Sequence, residues 1–320
     1  MKKNNVKLLI TGGAGFIGSN LVEHFLNHER VSLVRILDDL SNGYYENIEE
    51  FENHPKFEFI KGDICDYQTC LDATKGIDKI SHQAALGSVP RSIKNPMRST
   101  EVNILGTVNV LYAAKENGVE RVILACSSST YGDHPGLPKV EDEIGKPLSP
   151  YAVTKYSIEQ FADIFQQTYG LNYIGLRYFN IFGPKQNPDN PYAAVIPIFC
   201  QAFIDGKRPT INGDGEHSRD FTYVANAVLA NDLALFTENE ESLNEIYNVA
   251  CNDRVSLNEM IVTLQKISGK DIQPIYGPER AGDVKHSEAD ISKIENRLDY
   301  KPSVFFKEGF NKVYNWYKQK

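Results

Sequence analysis

Short apolar runs alternate with longer segments of mixed polarity along roughly the first 180 residues of the chain. Each run is four or five residues long, which suits a buried strand better than a helix. The apolar runs are Lys7–Ile10, Leu33–Leu37, Phe57–Ile60, Lys79–His82, Val122–Cys126 and Tyr173–Arg177. The segments between them are long enough for helices, and the clearest are Gly15–Asn27, Pro96–Asn117 and Pro150–Tyr169.

This alternation determines the predicted fold class. Strands that alternate with helices form a parallel sheet with helices on both faces. Because crossovers between parallel strands are right-handed, the sheet becomes doubly wound. The sequence therefore predicts an α/β protein built on a doubly wound, Rossmann-type parallel sheet.

The predicted helix Pro150–Tyr169 carries clear signals at both ends. Ser149 can accept a hydrogen bond from the first turn, and proline is favoured at the first helical position. Gly170 is placed to end the helix in a left-handed conformation. Tyr151 then lies in the first turn, and Lys155 lies one turn later on the same face.

The pattern changes after about residue 180, where segments rich in Pro, Asn and Gly interrupt it, such as 183–188 and 211–215. A length of 320 residues predicts about two domains. We expect a Rossmann domain over residues 1–180, to which part of residues 215–250 returns. Residues 181–320 are expected to form a smaller, mixed, loop-rich domain that binds the substrate.

Composition narrows the class of protein further. Asp and Glu number 42 against 34 Lys and Arg, and the net charge of −8 disfavours nucleic-acid binding, which needs a basic surface. No run of about 18 apolar residues predicts a membrane span, and the N-terminus leads straight into a strand, unlike a signal peptide. The five cysteines are scattered without CxxC spacing. We therefore expect no metal site, no disulfide framework and a cytoplasmic location.

A glycine-rich turn follows the first strand and opens the first helix. Its spacing, Gly12-x-x-Gly15-x-x-Gly18, departs from GxGxxG by one residue. Such glycines bring a pyrophosphate against the backbone at a helix N-terminus. Asp38 ends the next strand, 20 residues after Gly18, where a carboxylate binds the adenosine ribose 2′-hydroxyl and repels a 2′-phosphate. Together these features predict NAD as the cofactor, in preference to NADP.

Three hydroxyl groups and a Tyr–Lys pair are predicted to meet at one edge of the sheet. Residues 127–129 are serines that follow the strand Val122–Cys126, and ligands of open α/β sheets bind at the carboxyl ends of strands. Free tyrosine has a pKa of about 10 and is a poor base at neutral pH. A neighbouring ammonium such as Lys155, together with a positive nicotinamide, would favour the phenolate of Tyr151.

The sequence with these motifs resembles the extended short-chain dehydrogenases/reductases of the UDP-galactose 4-epimerase type. Residues 84–92 and 131–139 resemble the branch that acts on UDP-N-acetylhexosamines. The resemblance implies a NAD-dependent enzyme that interconverts UDP-GlcNAc and UDP-GalNAc, acts more weakly on UDP-glucose and UDP-galactose, and supplies sugar nucleotides for surface polysaccharide. It also implies a homodimer held by a four-helix bundle from helices Pro96–Asn117 and Pro150–Tyr169. Further matching segments are His82-Gln83-Ala84-Ala85, Arg177-Tyr178-Phe179-Asn180, Gly213-Asp214-Gly215, Arg219-Asp220 and Arg280-x-Gly282-Asp283.

The resemblance also implies roles for individual residues. Tyr151 would be the catalytic base, Lys155 would bind the nicotinamide ribose and lower the tyrosine pKa, and Ser127 would be the catalytic hydroxyl. The residues expected at the NAD site are Gly12, Gly15, Phe16, Ile17, Gly18, Asp38, Asn42, Gly43, Asp63, Ile64, Gln83, Ala84, Asn103, Tyr151, Lys155 and Tyr178. The residues expected to hold the UDP-sugar are Gly87, Ser88, Ser127, Ser128, Ser129, Tyr151, Asn180, Ala194, Val195, Asn212, Arg219, Arg280, Asp283 and Ser287.

Two positions bear on the substrate. Ser287 stands where epimerases restricted to non-acetylated sugars have tyrosine, so the resemblance favours the N-acetylated pair. Gly87 departs from the lysine that the galactose enzymes commonly have there, which affects the expected contacts with the nicotinamide.

Alternative functions stay open on the sequence. A UDP-glucose 4-epimerase and a UDP-glucuronate epimerase or decarboxylase would use the same motifs. A 4,6-dehydratase is disfavoured, because its proton transfers need an Asp-Glu pair where this chain has Ser128 and Ser129. The alternative from another class is a non-catalytic sensor of NAD or UDP-sugars. Such relatives tend to lose the tyrosine or the lysine, and here both are intact.

Overall fold

A parallel sheet of seven strands forms the centre of the computed structural model, which describes residues 5–187, 194–279 and 286–320. The strands of the chain are β1 (Val6–Thr11), β2 (Val31–Asp38), β3 (Phe57–Lys61), β4 (Lys79–His82), β5 (Arg121–Ser127), β6 (Asn172–Tyr178), β7 (Thr210–Asn212), β8 (Ser218–Asp220), β9 (Glu245–Val249), β10 (Arg254–Ser256), β11 (Ile275–Gly277) and β12 (His286–Ser287). The central sheet has the order β3-β2-β1-β4-β5-β6-β9, and all of its pairings are parallel. The chain order reverses direction between β1 and β4, as in a doubly wound sheet, which confirms the predicted fold class.

Helices cover both faces of this sheet. The α-helices are α1 (Phe16–Leu26), α2 (Tyr67–Ala73), α3 (Val89–Lys94), α4 (Pro96–Thr100), α5 (Gly106–Glu116), α6 (Pro150–Tyr169), α7 (Val195–Ile204), α8 (Val224–Phe236), α9 (Leu257–Ser268), α10 (Ser292–Leu298) and α11 (Phe306–Gln319). One face carries α1, α8 and α10 on a buried apolar core, and the other carries α2, α5 and α6. None of these helices is long and apolar enough to span a bilayer within the described ranges.

Helix α6 has the predicted ends. The hydroxyl of Ser149 accepts a hydrogen bond from the amide of Ala152 at 3.1 Å, and Pro150 occupies the first turn. Gly170 ends the helix with φ of 71°, a left-handed conformation that glycine adopts without steric cost. These caps fix the register of α6, and therefore the positions of Tyr151 and Lys155.

A smaller C-terminal unit packs beside the carboxyl ends of the central strands. Its core is aromatic and includes Phe182, Phe221 and Phe306 together with residues of α7, α9 and α11. Strand β8 pairs antiparallel with β10 and parallel with β12, while β11 and β7 form a separate parallel pair. Through this mixed pairing β8 and β12 lie near the carboxyl ends of the central strands.

Three features of the large sheet and its helices differ from the predicted elements. The predicted helix Pro96–Asn117 is divided into α4, a π-helical turn over Glu101–Leu105 and α5. Helix α3 and strand β9 were not among the predicted elements, and β9 pairs with β6 at the sheet edge. The π-helical turn contains Asn103, whose side chain accepts a hydrogen bond from the backbone amide of Leu86. Helical periodicity in the sequence cannot reveal this long-range contact.

Candidate functional site

A cleft of about 860 Å³ opens along the carboxyl ends of β1, β2, β4, β5 and β6. Its walls come from the turn after β1, the loop after β2, the segment after β4, the serines after β5 and the end of β6. The C-terminal unit closes one end through Arg219 and Ser287. This is the place where ligands bind in open α/β sheets, and the volume is in the range of ligand pockets.

The glycine loop leaves bare backbone at the N-terminus of α1. Gly12 has φ of 70°, and a Cβ on it would lie 2.7 Å from the backbone of Ala84. A Cβ on Gly18 would lie 2.0 Å from the carbonyl oxygen of Gly12, so both positions require glycine. Gly15 faces the cleft, and its missing side chain leaves room for a phosphate beside the helix N-terminus.

Asp38 lies at the end of β2 and presents its carboxylate to the cleft. Its two oxygens accept hydrogen bonds from the amides of Ala14 and Leu40, each at 2.9 Å. Burial raises the pKa of Asp38, and these two amides oppose the rise. A carboxylate has further lone pairs available, which suits it to accept hydrogen bonds from ribose hydroxyl groups.

Two loops meet over the part of the cleft next to Asp38. Asn42 and Gly43 line it from one side, and Val89 and Pro90 line it from the other. The guanidinium of Arg91 donates a hydrogen bond to the Asn42 side chain at 2.9 Å. The loop after β2 and the start of α3 are therefore connected across the opening.

A buried polar network supports the floor of the cleft. The hydroxyl of Tyr178 donates to Gln83 at 3.2 Å and accepts from Asn231 at 2.7 Å. The amide group of Gln83 donates to Ser81 at 3.0 Å. Burial raises the pKa of Tyr178 to about 12, so this phenol stays protonated and acts as part of the scaffold.

Tyr151, Lys155 and Ser127 lie together in the cleft. Burial raises the pKa of Tyr151, while a hydrogen bond with Ser127 acts in the opposite direction. The ammonium of Lys155 is buried and donates to the carbonyl oxygen of Ala125 at 2.6 Å. Burial lowers the pKa of Lys155 to about 8, so it remains largely charged at neutral pH.

Two of the three serines, Ser127 and Ser129, are hydrogen-bonded to each other beside Tyr151. The hydroxyl of Ser129 donates to the hydroxyl of Ser127 at 2.9 Å, and the amide of Ser129 points to the same oxygen at 3.2 Å. Ser127 thus accepts two hydrogen bonds, which leaves its own proton available to a phenolate or to a substrate oxygen. Ser128 also lines the cleft.

The end of the cleft near the C-terminal unit is lined by Asn180, Arg219 and Ser287. Ser287 is paired with Arg219 in the parallel pairing of β12 with β8. Asn180 has φ of 39° and donates to the carbonyl oxygen of Asp220 at 3.0 Å. A guanidinium at this end suits a phosphate, because it can donate two parallel hydrogen bonds.

Most of the predicted ligand residues line this cleft, and some do not. Phe16, Ile17, Asp63, Ile64, Ala84 and Gly87 line it with the residues described above. The predicted residues that lie away from the lining are Ser88, Asn103, Ala194, Val195 and Asn212. Arg280 and Asp283 lie outside the described residues.

Asn103 and Ser88 have clear local roles instead. Asn103 accepts a hydrogen bond from the Leu86 amide at 2.8 Å and donates to Thr154 at 3.1 Å, so it links the segment after β4 to α6. Ser88 caps α3 by accepting from the amide of Arg91 at 3.2 Å. Both residues hold cleft-lining backbone in place.

Sequence reasoning missed several residues of the cleft. Val89, Ile93 and Leu148 add apolar lining, and Lys139 adds a buried cation. Val89 and Lys139 fall within residues 84–92 and 131–139, whose resemblance to the UDP-N-acetylhexosamine branch assigned no role to either side chain. Helix α3 mixes Val89 and Ile93 with polar residues, so no apolar run predicted it as a wall of the cleft.

The residues of this cleft fit NAD. The bare backbone at Gly15 and the N-terminus of α1 suit a pyrophosphate, and Asp38 suits an adenosine ribose without a 2′-phosphate. Lys155 and Tyr151 lie at the other end, next to the serines. One cleft therefore holds both a dinucleotide site and a set of acid–base groups.

The chain is similar to known proteins over most of its length. The model of the NAD dependent epimerase/dehydratase family matches residues 8–250. A putative UDP-glucose 4-epimerase of Methanocaldococcus jannaschii is 36% identical over 315 residues, which are 97% of this chain and 98% of that protein.

Two solved structures are similar over their full length. UDP-N-acetylglucosamine 4-epimerase from Methanobrevibacter ruminantium, in complex with UDP-N-acetylmuramic acid, has a TM-score of 0.93 at 38% identity, with 99% of each chain covered. Thermus thermophilus UDP-glucose 4-epimerase, in complex with NAD, has a TM-score of 0.87 at 32% identity and covers 98% of this chain and 99% of its own. The chain therefore belongs to the NAD-dependent epimerase/dehydratase family and is of the UDP-sugar 4-epimerase type, with NAD as its cofactor.

Proposed function

We propose that this protein is a UDP-N-acetylglucosamine 4-epimerase, which interconverts UDP-GlcNAc and UDP-GalNAc. The observation that carries the proposal is the small side chain of Ser287 in the wall of the cleft that also contains Tyr151. An acetamido group needs volume that a bulky side chain at this position would occupy. Gly87, which lines the same cleft without a side chain, leaves further space.

Tyr151 acts as the base in this proposal. Bound NAD would supply reversible hydride transfer at C4 of the sugar, which inverts that carbon when the hydride is returned to the opposite face. Tyr151 accepts the proton of the sugar 4-hydroxyl and later gives it back. Burial raises the pKa of this phenol and its hydrogen bond with Ser127 lowers it, and in this proposal the ammonium of Lys155 adds positive charge that favours the phenolate.

Ser127 and Arg219 position the substrate. Ser127 accepts its hydrogen bonds from Ser129 and is hydrogen-bonded to Tyr151, so in this proposal its hydroxyl proton passes from the phenol oxygen to the 4-oxygen of the bound sugar. Arg219 lies at the far end of the cleft and suits the diphosphate of a UDP-sugar. In this proposal oxidation and reduction take place at the same carbon, C4 of the sugar. The reaction therefore needs no further acid–base group for a second carbon.

UDP-glucose 4-epimerase is the second candidate. It is supported by the names of two relatives, the M. jannaschii protein and the T. thermophilus enzyme. The two candidates differ only in whether the pocket at Ser287 admits an acetamido group, so the substrate itself discriminates between them.

The test uses the purified protein without added cofactor. UDP-GlcNAc and UDP-glucose are incubated separately, and the products are resolved by NMR, with NAD released by denaturation as a check on cofactor content. We expect UDP-GalNAc to form with the higher kcat/KM. Formation of UDP-galactose alone would replace the first candidate with the second, and no product from either substrate would refute both.

We also propose that the protein is a homodimer. Several apolar side chains on α4 and α6 are exposed, including Met97 at 82%, Ile164 at 53% and Phe161 at 37%. Tyr112 on the adjacent α5 adds to this surface at 39%. Exposed apolar patches of this kind mark interaction sites, and light scattering coupled to size-exclusion chromatography should give twice the chain mass of 36.0 kDa.

A further inference from the structure

Lys139 is a buried lysine in the wall of the substrate cleft. The residue is 6% exposed and lines the cleft. Its amide donates to the carbonyl oxygen of Glu288 at 2.8 Å, and its carbonyl oxygen accepts from the amide of Asp290 at 2.9 Å. These two bonds pair Lys139 with Ala289 as an isolated parallel bridge, so its position is fixed by backbone.

This pairing places Lys139 opposite Ala289, two positions after Ser287. Side chains two residues apart in an extended segment point to the same face, so Ser287 and Ala289 share one face. Lys139 pairs with Ala289 and Arg219 pairs with Ser287. Ser287 is therefore paired with Arg219 and lies two positions before the residue that pairs with Lys139, and all three line the cleft.

The ammonium of Lys139 has unused hydrogen-bonding capacity. It donates to the carbonyl oxygen of His134, whereas an ammonium has three donors. Burial lowers the pKa of Lys139, and within the described residues no carboxylate contributes to that shift. A buried cation is costly unless acceptors surround it, so an oxygen atom of a bound substrate would satisfy it.

We propose that Lys139 is a specificity-determining residue that donates a hydrogen bond to an acceptor oxygen on a substituent of the sugar ring, next to Ser287. This rests on the proposed function, in that the ligand is a UDP-hexose. Two substituents present the same chemistry: the carbonyl of an acetamido group and the carboxylate of a uronate. A plain hydroxymethyl or ring hydroxyl group is a weaker acceptor than either one.

The competing explanation is structural, because Lys139 also holds the carbonyl of His134 within its own loop. The test separates the two with Lys139→Met, which keeps the length of the side chain and removes the charge. Lys146→Met is the matched control, since Lys146 is exposed in the same loop region and does not line the cleft. Thermal unfolding and NAD content are measured for each variant.

Three substrates distinguish the sources of the acceptor oxygen. UDP-GlcNAc carries the acetamido group, UDP-glucuronate carries the carboxylate, and UDP-glucose carries neither. For each, kcat/KM is measured with the holoenzyme, and Kd is measured by calorimetry so that a ligand without turnover is still informative. A lost hydrogen bond to a charged donor corresponds to about 10- to 100-fold in affinity.

We expect Lys139→Met to weaken the binding of UDP-GlcNAc or of UDP-glucuronate by that factor relative to the binding of UDP-glucose. Lys146→Met should leave the ratios of Kd and of kcat/KM among the three substrates unchanged. Selective loss with UDP-GlcNAc identifies the acetamido carbonyl, and selective loss with UDP-glucuronate identifies the carboxylate. An equal loss for all three ligands, or no loss, overturns the proposal. If the wild-type protein did not turn over UDP-GlcNAc, the proposed function would fail, and the Kd ratios would still decide the role of Lys139.

Discussion

Arg177 on β6 and Glu159 on α6 form a buried ion pair with two parallel hydrogen bonds, at 3.0 and 2.8 Å. Their side chains are 2% and 3% exposed. The same guanidinium donates to the carbonyl oxygen of Glu141 at 2.7 Å and lies over the ring of Tyr131. Glu159 is one turn after Lys155, so the ion pair ties α6 to the sheet.

Removing one member of this pair should destabilise the protein strongly. Arg177→Met leaves the carboxylate of Glu159 buried without its partner, which typically costs about 3–5 kcal/mol. Urea unfolding measures the free energy of unfolding. The double variant Arg177→Met/Glu159→Leu should recover a large part of the loss, because it removes both charges, whereas additive losses would show that the two residues are not coupled.

Replacing Tyr151 with Phe should abolish most of the activity without unfolding the protein. The change removes the hydroxyl to which the proposed function assigns the proton, and general base catalysis is worth about 10²- to 10⁴-fold. Steady-state kcat is the measurement, with thermal unfolding and NAD content as controls. A Tyr151→Phe variant that kept near-normal kcat would rule out the assignment of Tyr151 as the base.

The buried ammonium of Lys155 should give the apoprotein a distinctive pH dependence. Burial lowers its pKa from 10.5 to about 8. Between these two values the unfolded chain binds a proton that the folded chain does not, so the free energy of unfolding rises with pH. Below pH 8 both states are protonated, and the full cost of burying the charge is present.

We compare the wild-type apoprotein with Lys155→Met between pH 7 and 9.5. The difference in the free energy of unfolding, wild type minus variant, should stay constant to pH 8 and then rise by about 1.4 kcal/mol per pH unit. The variant should also lose NAD more readily and turn over slowly. Parallel pH profiles of the two proteins would contradict the lowered pKa of Lys155.

Most of the large sheet was predictable because its strands are short, nearly continuous apolar runs in the sequence. Six apolar runs became β1 to β6 with ends shifted by no more than two residues. Strand β9 was not identified as a run, because Glu245 and Asn248 interrupt its apolar residues although its last three residues are buried. The other edge strand, β3, was identified although none of its residues is fully buried, so the sequence pattern depends on residue type and does not report burial directly.

The chemistry of the site was predictable where a motif fixes backbone geometry, as at Gly12 and Gly18, whose Cβ atoms would collide with the backbone. The contacts of Asn103 were not predictable, because they depend on a π-helical turn and on a segment 17 residues away. Lys139 could not be found either, since its burial arises from a bridge to Ala289. Such positions depend on tertiary packing that no local spacing encodes.

The side chain at position 287 should decide between acetylated and non-acetylated substrates. Ser287 lines the cleft next to Arg219, its partner on the neighbouring strand. Ser287→Tyr places a ring in the volume assigned to the acetamido group. Overpacking costs about 1–3 kcal/mol, so kcat/KM for UDP-GlcNAc should fall by roughly 10- to 100-fold while kcat/KM for UDP-glucose is retained. Ser287→Ala is the matched control, because it keeps the space and removes only the hydroxyl, and it should retain both activities.

If Ser287→Tyr kept its activity on UDP-GlcNAc, the acetamido group would lie elsewhere in the cleft. If both substrates were lost with NAD still bound, the ring would be blocking the whole sugar, and position 287 would not discriminate between them.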